Sequence, residues 1–415
     1  MKKLFCVAVC MIMMLNSCFH ENSKIPVIDV DSPTGSVDLK LSDLLSDIRM
    51  IRLETRDDVL LTTREAYRFS DKYIVCYSSS GMHLFDKNGK YLRLLTRAGG
   101  GPNEFGRISN AFIDDENDIL YYTDARNRAS LYLYRIDLAS GNFLSPINKT
   151  QDKSDFLMSD MDNNGNIYGF FRMGSLNFLS GSSKKDTSSC YIAYKYNISK
   201  DTIEGIEIPG LYISSGFNRS ISKHKDDIYI YDSSYGDTLF YYAKNKLSSS
   251  IIIKMKDLLA DAQAGGNTLN IELSYKDGFL FKHSYSKIST KTGTSGQIES
   301  ISVMNPTMNY FLVDKNRGKL SVIKNFYIDP IGATINITKA IDPEEIDSQF
   351  LNINEFIEKS GDYGFCMIEA FKMETLIDEA LAGDKLSGTE KETLRKFGAT
   401  INEDDNPVVI VGKIL

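Results

Sequence analysis

Asp226-Asp227-Ile228-Tyr229-Ile230-Tyr231 is one of five segments in which an acidic or glycine-containing turn leads into a run of β-branched and aromatic residues. Runs of this composition favour strands, because such side chains pack well on a pleated, half-buried surface. The other four segments are residues 71–77, 117–122, 165–170 and 277–281. Their first apolar residues are about 45 to 60 positions apart, which is the period of a propeller blade. The repeat therefore predicts an all-β protein built as a β-propeller.

Turn signals between these segments divide the chain into six predicted blades. Five of them cover about residues 63–96, 108–146, 155–209, 218–255 and 269–324, and the sixth begins near Asn325. In the first blade Asn88-Gly89 marks a hairpin, since both residue types tolerate a positive φ. Residues of about 342–397 differ from the rest, because they are rich in Glu, Lys, Ala and Leu. Helical spacing from Met373 and from Thr389 predicts a helical C-terminal insertion there.

The last residues of the chain form a strong predicted strand that begins at Val408. An unpaired strand edge invites aggregation, and closing the ring of blades removes it. Residues 48–53 alternate in polarity and can supply the partner strand. We therefore predict a six-bladed β-propeller over residues 27–415, in which the N- and C-terminal strands share the last blade as a terminal-strand clasp.

The N-terminus has the pattern of a bacterial export signal. Lys2 and Lys3 precede an apolar run over residues 4–15, which is too short to span a bilayer as a mature anchor. The run ends in Leu15-Asn16-Ser17-Cys18, which looks like a lipobox with a small residue before the cleavage site and a thiol to carry the lipid. We predict a lipoprotein signal peptide over residues 1–17, lipidation of Cys18 and a tether over residues 18–26. The alternative is an ordinary cleaved signal peptide with an incidental cysteine.

The predicted lipid anchor also defines a location and a first partner. Several acyl chains would attach the protein firmly to a membrane, since each buried methylene contributes about 0.8 kcal/mol. We expect an outer-membrane lipoprotein in the cell envelope, facing the periplasm or the cell exterior.

Composition excludes several classes of partner and site. The 415 residues carry a formal net charge of -7 and contain no basic block, so nucleic acid is excluded as a partner. The cysteines after Cys18 lie far apart, which indicates neither a disulfide framework nor a zinc site. None of the four histidines forms a metal-binding pair. We therefore predict no metal and no cofactor.

Two motifs resemble ligand-binding loops but are better explained as turns. Residues 160–167 begin like a calcium-binding loop, yet the twelfth position is Phe171, where a bidentate glutamate is required. Gly99-Gly100-Gly101 lacks the following helix and the Lys-Ser/Thr pair of a phosphate-binding loop. We interpret the first motif as a β-turn and the second as the connection between two blades.

Three further stretches are informative together: Arg52-Leu53-Glu54-Thr55, Gly99-Gly100-Gly101-Pro102-Asn103-Glu104-Phe105 and Asp405-Asn406-Pro407-Val408-Val409. They resemble the six-bladed β-propeller lipoproteins of Bacteroidota-type bacteria, whose blades are similar to NHL repeats. In that family glycine usually occupies the position of Asn103, and asparagine also tolerates the left-handed conformation. The resemblance covers nearly all of the mature chain. It implies the six-bladed fold and the lipid anchor, but no activity.

The predicted function is non-enzymatic binding or scaffolding in an envelope system, with nutrient uptake as one role. Propellers present loops around a channel mouth and can bind by shape with few catalytic groups. The ligand is an unknown glycan, peptide or protein. The alternative is a hydrolase or lyase that acts on a glycan or peptide from the channel mouth. It would require carboxylates, or histidine with carboxylates, to converge there, and the sequence identifies no catalytic residue.

The predicted ligand site lies on the face that carries the connections between blades and the loops after each blade's second strand. Arginine there can hold carboxylates or sulfates, and tyrosine can stack on sugar rings. The alternative is that Arg126 and Arg128 only pair with neighbouring acidic residues. The candidate residues are Arg97, Asn103, Glu104, Arg107, Arg126, Arg128, Asp232, Tyr235, Asp237 and His283.

Overall fold

The computed structural model is a closed ring of six β-sheets. It describes residues 25–63, 65–78, 81–124, 126, 131–149, 156–171, 191–208, 219–232, 237–255, 267–292, 298–336 and 357–415. The innermost strands of the six sheets contact one another in cyclic order, which closes the ring. The prediction of an all-β, six-bladed β-propeller is therefore confirmed. Cys18, Arg128 and Tyr235 lie outside the described residues.

The N-terminal segment runs along the outside of three consecutive blades. Its strands are β1 (Val27–Asp29), β2 (Gly35–Lys40) and β3 (Leu45–Arg52), and a short 3-10 helix spans Leu41–Asp43. β1 and β2 pair in parallel with the fourth strands of blades 4 and 5, and β3 is itself the outermost strand of blade 6. Added strands of this kind satisfy backbone groups that an open sheet edge would leave unpaired.

Blades 1 to 3 each consist of four antiparallel strands, and their bounds lie close to the predicted ones. From the inside of the ring outward, blade 1 contains β4 (Ala66–Phe69), β5 (Tyr73–Tyr77), β6 (Gly81–Asp86) and β7 (Tyr91–Arg97). Blade 2 contains, in the same order, β8 (Ile108–Asp114), β9 (Ile119–Asp124), β10 (Leu131–Asp137) and β11 (Phe143–Lys149). Blade 3 contains β12 (Phe156–Met161), β13 (Asn166–Phe171), β14 (Tyr191–Asn197) and β15 (Thr202–Glu207).

Blades 4 to 6 follow the same plan, with additions from the N-terminal segment. Blade 4 contains β16 (Arg219–His224), β17 (Asp227–Asp232), β18 (Thr238–Ala243) and β19 (Lys246–Lys254). Blade 5 contains β20 (Asn267–Tyr275), β21 (Gly278–Thr292), β22 (Ile298–Asp314), β23 (Lys319–Ile328) and β24 (Ala333–Asn336). Blade 6 contains β25 (Glu358–Ser360), β26 (Tyr363–Ile368), β27 (Val408–Ile414) and, as its outermost strand, β3.

The start of blade 6 differs from its prediction in two respects. Asn325 lies in β23, the fourth strand of blade 5, so the sixth blade does not begin there. The predicted helical insertion of about 342–397 is also too long, because β25 and β26 lie within it. Every residue of β26 is buried, so the strand lacks the polar alternation by which a half-buried strand is recognised. Its Gly361-Asp362 turn nevertheless repeats the signal of the other five blades.

Two helices connect β26 to β27 and confirm the helical spacing predicted from Met373 and Thr389. They are α1 (Ala370–Ala382) and α2 (Gly388–Gly398). Ser387 begins α2 with a capping box, in which Glu390 Oε2 accepts the Ser387 N–H at 2.8 Å and Ser387 Oγ accepts the Glu390 N–H at 3.4 Å. In the part of the chain that is described, no helix is long and apolar enough to cross a bilayer.

The C-terminal strand joins two inter-blade cores. β27 pairs antiparallel with β3, which confirms the predicted terminal-strand clasp. Val408 and Ile410 pack in the core that blade 6 shares with blade 5, whereas Val409 and Val411 pack in the core shared with blade 1. All four side chains are fully buried, and each such burial stabilises the fold by about 1.5–3 kcal/mol. The clasp therefore holds the ring closed through both of its neighbours.

The antiparallel strand order gives the ring two distinct ends. The hairpin face carries the turns from the first to the second strand and from the third to the fourth strand of each blade. The connection face carries the loops from the second to the third strand and the connections between blades. Bulges in the innermost strands β8, β12 and β20 leave Ser109, Ser159 and Glu272 without a partner in the strand register. Bulges redirect side chains, and these three lie on the strands nearest the axis.

Candidate functional site

On the connection face, Asp124 and Arg126 hold the link between blades 1 and 2. The Asp124 carboxylate accepts the N–H groups of Gly106 at 2.7 Å and Arg107 at 3.3 Å. Arg126 donates from Nε to Asp124 at 2.8 Å and from its other guanidinium nitrogens to the carbonyl oxygens of Gly99 at 2.7 Å and Glu104 at 2.6 Å. Burial opposes ionisation of Asp124, but these hydrogen bonds outweigh it and lower its pKa. Arg126 therefore braces the connection.

The other predicted residues of this link are placed as follows. Asn103 adopts the left-handed conformation, with φ of 65°, as expected of a residue that replaces glycine. Glu104 accepts the N–H of Gly101 at 2.7 Å, which confirms the inter-blade turn. Arg97 and Arg107 are exposed and form no ion pair within the described part of the chain. The structure thus brings five candidates together on one connection.

The remaining candidates lie on other blades. Asp232 ends β17, and exposed Asp237 accepts the Thr238 hydroxyl at 2.9 Å. His283 is half-buried in blade 5, where neither imidazole nitrogen has a hydrogen-bond partner among the described residues. Burial lowers the pKa of His283. Ligand binding by these residues stays a prediction.

On the hairpin face, five blades line a cavity of about 270 Å³ at the end of the central channel. Blades 1, 2, 3 and 6 contribute residues of the turn after the innermost strand, blade 4 contributes Lys223 from β16, and blade 6 adds Lys413 from β27. The lining contains six carboxylates and three cations. These charged residues are Asp71, Asp114, Asp115, Glu116, Asp162 and Asp362, with Arg68, Lys223 and Lys413.

A buried ionic network forms one wall of this cavity and links blades 3, 4 and 6. The Lys223 ammonium, whose side chain is 1% exposed, lies 2.8 Å from Asp362 and donates to Asn163 Oδ1 at 2.9 Å. Behind it, Lys359 pairs with Asp160 and donates to the Lys223 carbonyl oxygen at 2.8 Å. Burial lowers the pKa of Lys359, whereas the Asp160 carboxylate acts to raise it. The pairing of these buried charges couples the three blades.

The lining also contains a carboxyl group, Asp115, on which the charges of Lys72 and Lys413 act without a direct ion pair. Tyr363 and Lys413 donate to Asp71 at 2.5 Å and 2.9 Å and lower the pKa of Asp71. Asp115 accepts a hydrogen bond from the N–H of Asp71 at 3.2 Å but forms no ion pair within the described chain. Asp115 is exposed to solvent at the cavity, but the surrounding protein partly desolvates its carboxyl group and raises its pKa, and the Asp71 and Asp362 carboxylates raise it further. Asp115 is therefore poised to accept a cationic or hydrogen-bond-donating group.

Two more carboxyl groups lie on the innermost strands, between the two faces. Glu272 is the bulged residue of β20, and Glu358 begins β25. Burial raises the pKa of both, and Glu358 adds to the effect on Glu272. Arg68 counteracts the rise for Glu358, and its guanidinium is fixed by the carbonyl oxygens of Ala111 and Tyr67, each at 2.6 Å. The channel therefore holds carboxyl groups of reduced acidity.

The two turn interpretations made from sequence hold, but they missed the cavity. Asp162 accepts the N–H groups of Asn164 at 2.9 Å and Asn166 at 2.8 Å, so the calcium-like motif is a hairpin turn as predicted. Among the described residues, no three His, Cys, Asp or Glu side chains gather in a way that could hold a metal ion. The sequence feature that could have indicated the cavity was Lys223, a lysine within strand β16. A buried lysine requires a partner, which the sequence could not identify.

Comparisons with known proteins place the chain in a family and support its fold. The family described as a domain of unknown function, DUF4934, matches residues 25–413, and the chain belongs to it. A putative exported protein from Bacteroides fragilis has a similar structure, with a TM-score of 0.55 and 13% identity over 94% of this chain and 99% of that one. A DUF4221 member from Bacteroides vulgatus gives a TM-score of 0.48 and 9% identity over 90% and 98%. No curated protein matches the sequence.

Proposed function

We propose that this DUF4934 protein is a lipid-anchored, non-enzymatic binding protein of the cell envelope, and that its ligand enters the cavity on the hairpin face. One observation carries the proposal: five blades line a charged cavity in which the Asp115 carboxyl forms no ion pair with any described residue. A site of this size, just below the roughly 300–1,000 Å³ typical of ligand pockets, fits one or two sugar or amino-acid units.

The charges favour a ligand that carries an amino group. Carboxylates outnumber cations in the lining, and Lys223 and Lys413 are already paired with Asp362 and Asp71. An ammonium group beside Asp115 would supply the missing positive charge, while hydroxyl or amide groups would bond to the paired residues. The ligand class is therefore an amine-bearing peptide or glycan, taken up or held in an envelope system.

The envelope location rests on the N-terminus. The lipobox ending at Cys18 supports lipidation and an outer-membrane location, and the structurally similar Bacteroides fragilis protein is itself described as exported. Cys18→Ser should release the protein from membranes or block its processing. Unchanged membrane association and cleavage in that variant would contradict the anchor.

Calorimetric titration of the detergent-purified full-length protein tests the cavity. The probes are chitosan oligomers, short peptides and neutral oligosaccharides of matched length. We expect amine-bearing probes to bind and Asp115→Asn to weaken binding about tenfold, the effect of losing one charge-assisted hydrogen bond. Asp277→Asn is the matched control, because Asp277 occupies the first hairpin of blade 5 outside the cavity lining.

The same titration distinguishes a ligand site on the hairpin face from one on the connection face. Arg97→Ala and Arg107→Ala remove exposed cations from the connection face and should leave binding of the amine-bearing probe unchanged. Loss of binding in these two variants, with normal binding by Asp115→Asn, would move the site to the connection face and refute the cavity.

A second candidate function is a hydrolase or lyase, and Glu272 and Glu358 favour it. A general acid must keep its proton near the working pH, and burial raises the pKa of both groups. Product analysis after incubation with glycans and peptides tests this function. Turnover that is abolished by Glu272→Gln or Glu358→Gln would replace the binding function with a catalytic one.

A further inference from the structure

A second concave feature lies on the outside of the ring, where blade 6 meets blade 1. It is a groove of about 530 Å³ between β3, the hairpin that joins β6 to β7, and the end of α2. It shares no lining residue with the hairpin-face cavity.

Backbone contacts hold the two sides of this groove in fixed positions. The Glu54 N–H donates to the Gly89 carbonyl oxygen at 2.8 Å. Gly89 has a φ of 86°, and a Cβ atom there would lie 2.2 Å from the Arg52 carbonyl oxygen. Only glycine permits this approach, so the hairpin sits against β3 at a position that the sequence enforces. The groove is therefore a preformed feature.

The groove is strongly basic in a protein whose net charge is -7. Four cations and one carboxylate line it, and that carboxylate, Glu54, already accepts the Tyr91 N–H at 3.0 Å. Arg52 lies 3.6 Å from Asp405. Arg49, Lys87 and Lys90 form no ion pair with any described residue. Three cations without an ion pair thus line one concavity, and one of them, Arg49, also acts at longer range on Asp71 and lowers its pKa.

We propose that this groove binds a soluble ligand that carries at least two oxyanion groups, such as phosphates, sulfates or carboxylates on adjacent units. The arginine guanidinium can bind an oxyanion through two donors, and the lysine ammonium groups supply further positive charge. Half-buried Met50 and Phe397 offer apolar surface to the carbon skeleton between the charges. A groove of this volume admits about a disaccharide unit, and its concavity favours a soluble chain over a flat membrane surface.

This ligand differs in charge from the one proposed for the hairpin-face cavity. The cavity has an excess of carboxylates and the groove an excess of cations, so one ligand class cannot satisfy both. The groove proposal therefore does not depend on the cavity. Asp115→Asn should leave binding at the groove unchanged, which keeps the two proposals experimentally distinct.

The test is calorimetric titration of the detergent-purified full-length protein at low ionic strength. The probes are a chondroitin sulfate tetrasaccharide and inorganic tripolyphosphate, with a neutral maltotetraose as control. We expect at least one soluble polyanion to bind, with an affinity that falls as salt rises. Arg49→Ala and Lys90→Ala should each lower this affinity about tenfold, as expected for a lost charge-assisted contact.

Lys246→Ala is the matched control, because Lys246 is an exposed lysine at the equivalent hairpin of blade 4. Its binding should equal that of the wild type. The proposal is overturned if no soluble polyanion binds, or if Lys246→Ala weakens binding as much as Lys90→Ala does. Circular dichroism of each variant confirms that a lost affinity does not reflect unfolding.

Discussion

On the connection face, the guanidinium of Arg126 is fully engaged by Asp124 and by two carbonyl oxygens of the neighbouring link, whereas on the hairpin face the Asp115 carboxyl lines a cavity without any ion pair in the described chain. Residue type alone had predicted the ligand site on the connection face and only turns on the hairpin face. Arginine, tyrosine and histidine drew attention to the connection face, and the Asp, Asn and Gly turns of the hairpin face were interpreted as turns only. The difference shows that a candidate site depends on which charged groups folding pairs with an opposite charge and which it leaves without an ion pair.

The same contrast separates two kinds of charge pair. Asp124 is held by donors that lie within about twenty residues of it, so the brace is a local device of one link. Asp160 and Lys359 are 199 residues apart, and Lys223 and Asn163 are 60 apart, so their network exists only in the closed ring. Substitutions on the two faces should therefore lower the free energy of unfolding by different amounts.

The largest effect is expected from Asp160→Ala on the hairpin face. The change leaves the Lys359 ammonium, whose side chain is 12% exposed, without its carboxylate and removes the acceptor of the Lys223 N–H at 3.0 Å. Breaking a buried pair in this way costs about 3–5 kcal/mol, which urea-induced unfolding would measure. Lys72→Ala is the control, since it removes one partner of an exposed pair with Asp118 and should cost less than about 1 kcal/mol. Equal losses in the two variants would mean that the network does not hold the blades.

A smaller loss is expected from Asp124→Ala on the connection face. It removes charge-assisted hydrogen bonds to Arg126 and to the linking backbone, at a cost of about 2–3 kcal/mol in the free energy of unfolding. Because the pKa of Asp124 is lowered by folding, its contribution is present above the unfolded value of about 3.9 and is lost as pH falls through the folded value. The gap between wild type and variant in thermal midpoint should thus narrow as pH falls below about 4. A gap that is constant from pH 7 to pH 3 would contradict the role of the charge.

The smallest effect, and one of opposite sign, is expected from Glu272→Gln in the channel. Folding raises the pKa of Glu272, so its favourable contribution is present below the unfolded value of about 4.3 and is lost as pH rises through the folded value. At pH 7.5 the neutral glutamine should stabilise the protein by about 0.5–1 kcal/mol, a typical gain for a single stabilising change. The gain should vanish near pH 4. The exposed Glu403→Gln serves as control and should show no such pH dependence.

A carboxylate kept at a cost to stability is a sign of function, so this last variant bears on the choice between the two functions. If Glu272→Gln is more stable at neutral pH and still binds the amine-bearing probe, the channel carboxyl groups are separate from the cavity. If it is less stable than wild type at neutral pH, the unfavourable burial of Glu272 is refuted.

Local patterns were sufficient to predict most of the fold. The acidic and glycine turns located five of the six blades, helical spacing located α1 and α2, and the apolar run after Pro407 indicated the clasp. The first two strands of blade 6 were missed, because β26 is buried throughout and β25 has only three residues. Neither strand offers the alternation or length that distinguishes a strand from its surroundings.

The sequence by itself determined the blade repeat, the left-handed turn at Asn103 and the closing strand, because turn chemistry and side-chain periodicity are encoded within a few neighbouring residues. Only the tertiary structure decided which charges meet. Ring closure brings Asp160 to Lys359 and Lys223 to Asp362, and it leaves Asp115 beside two other carboxylates. These contacts join residues whose separation along the chain carries no local signal. Electrostatic interaction depends on distance in space, and the closed propeller sets that distance.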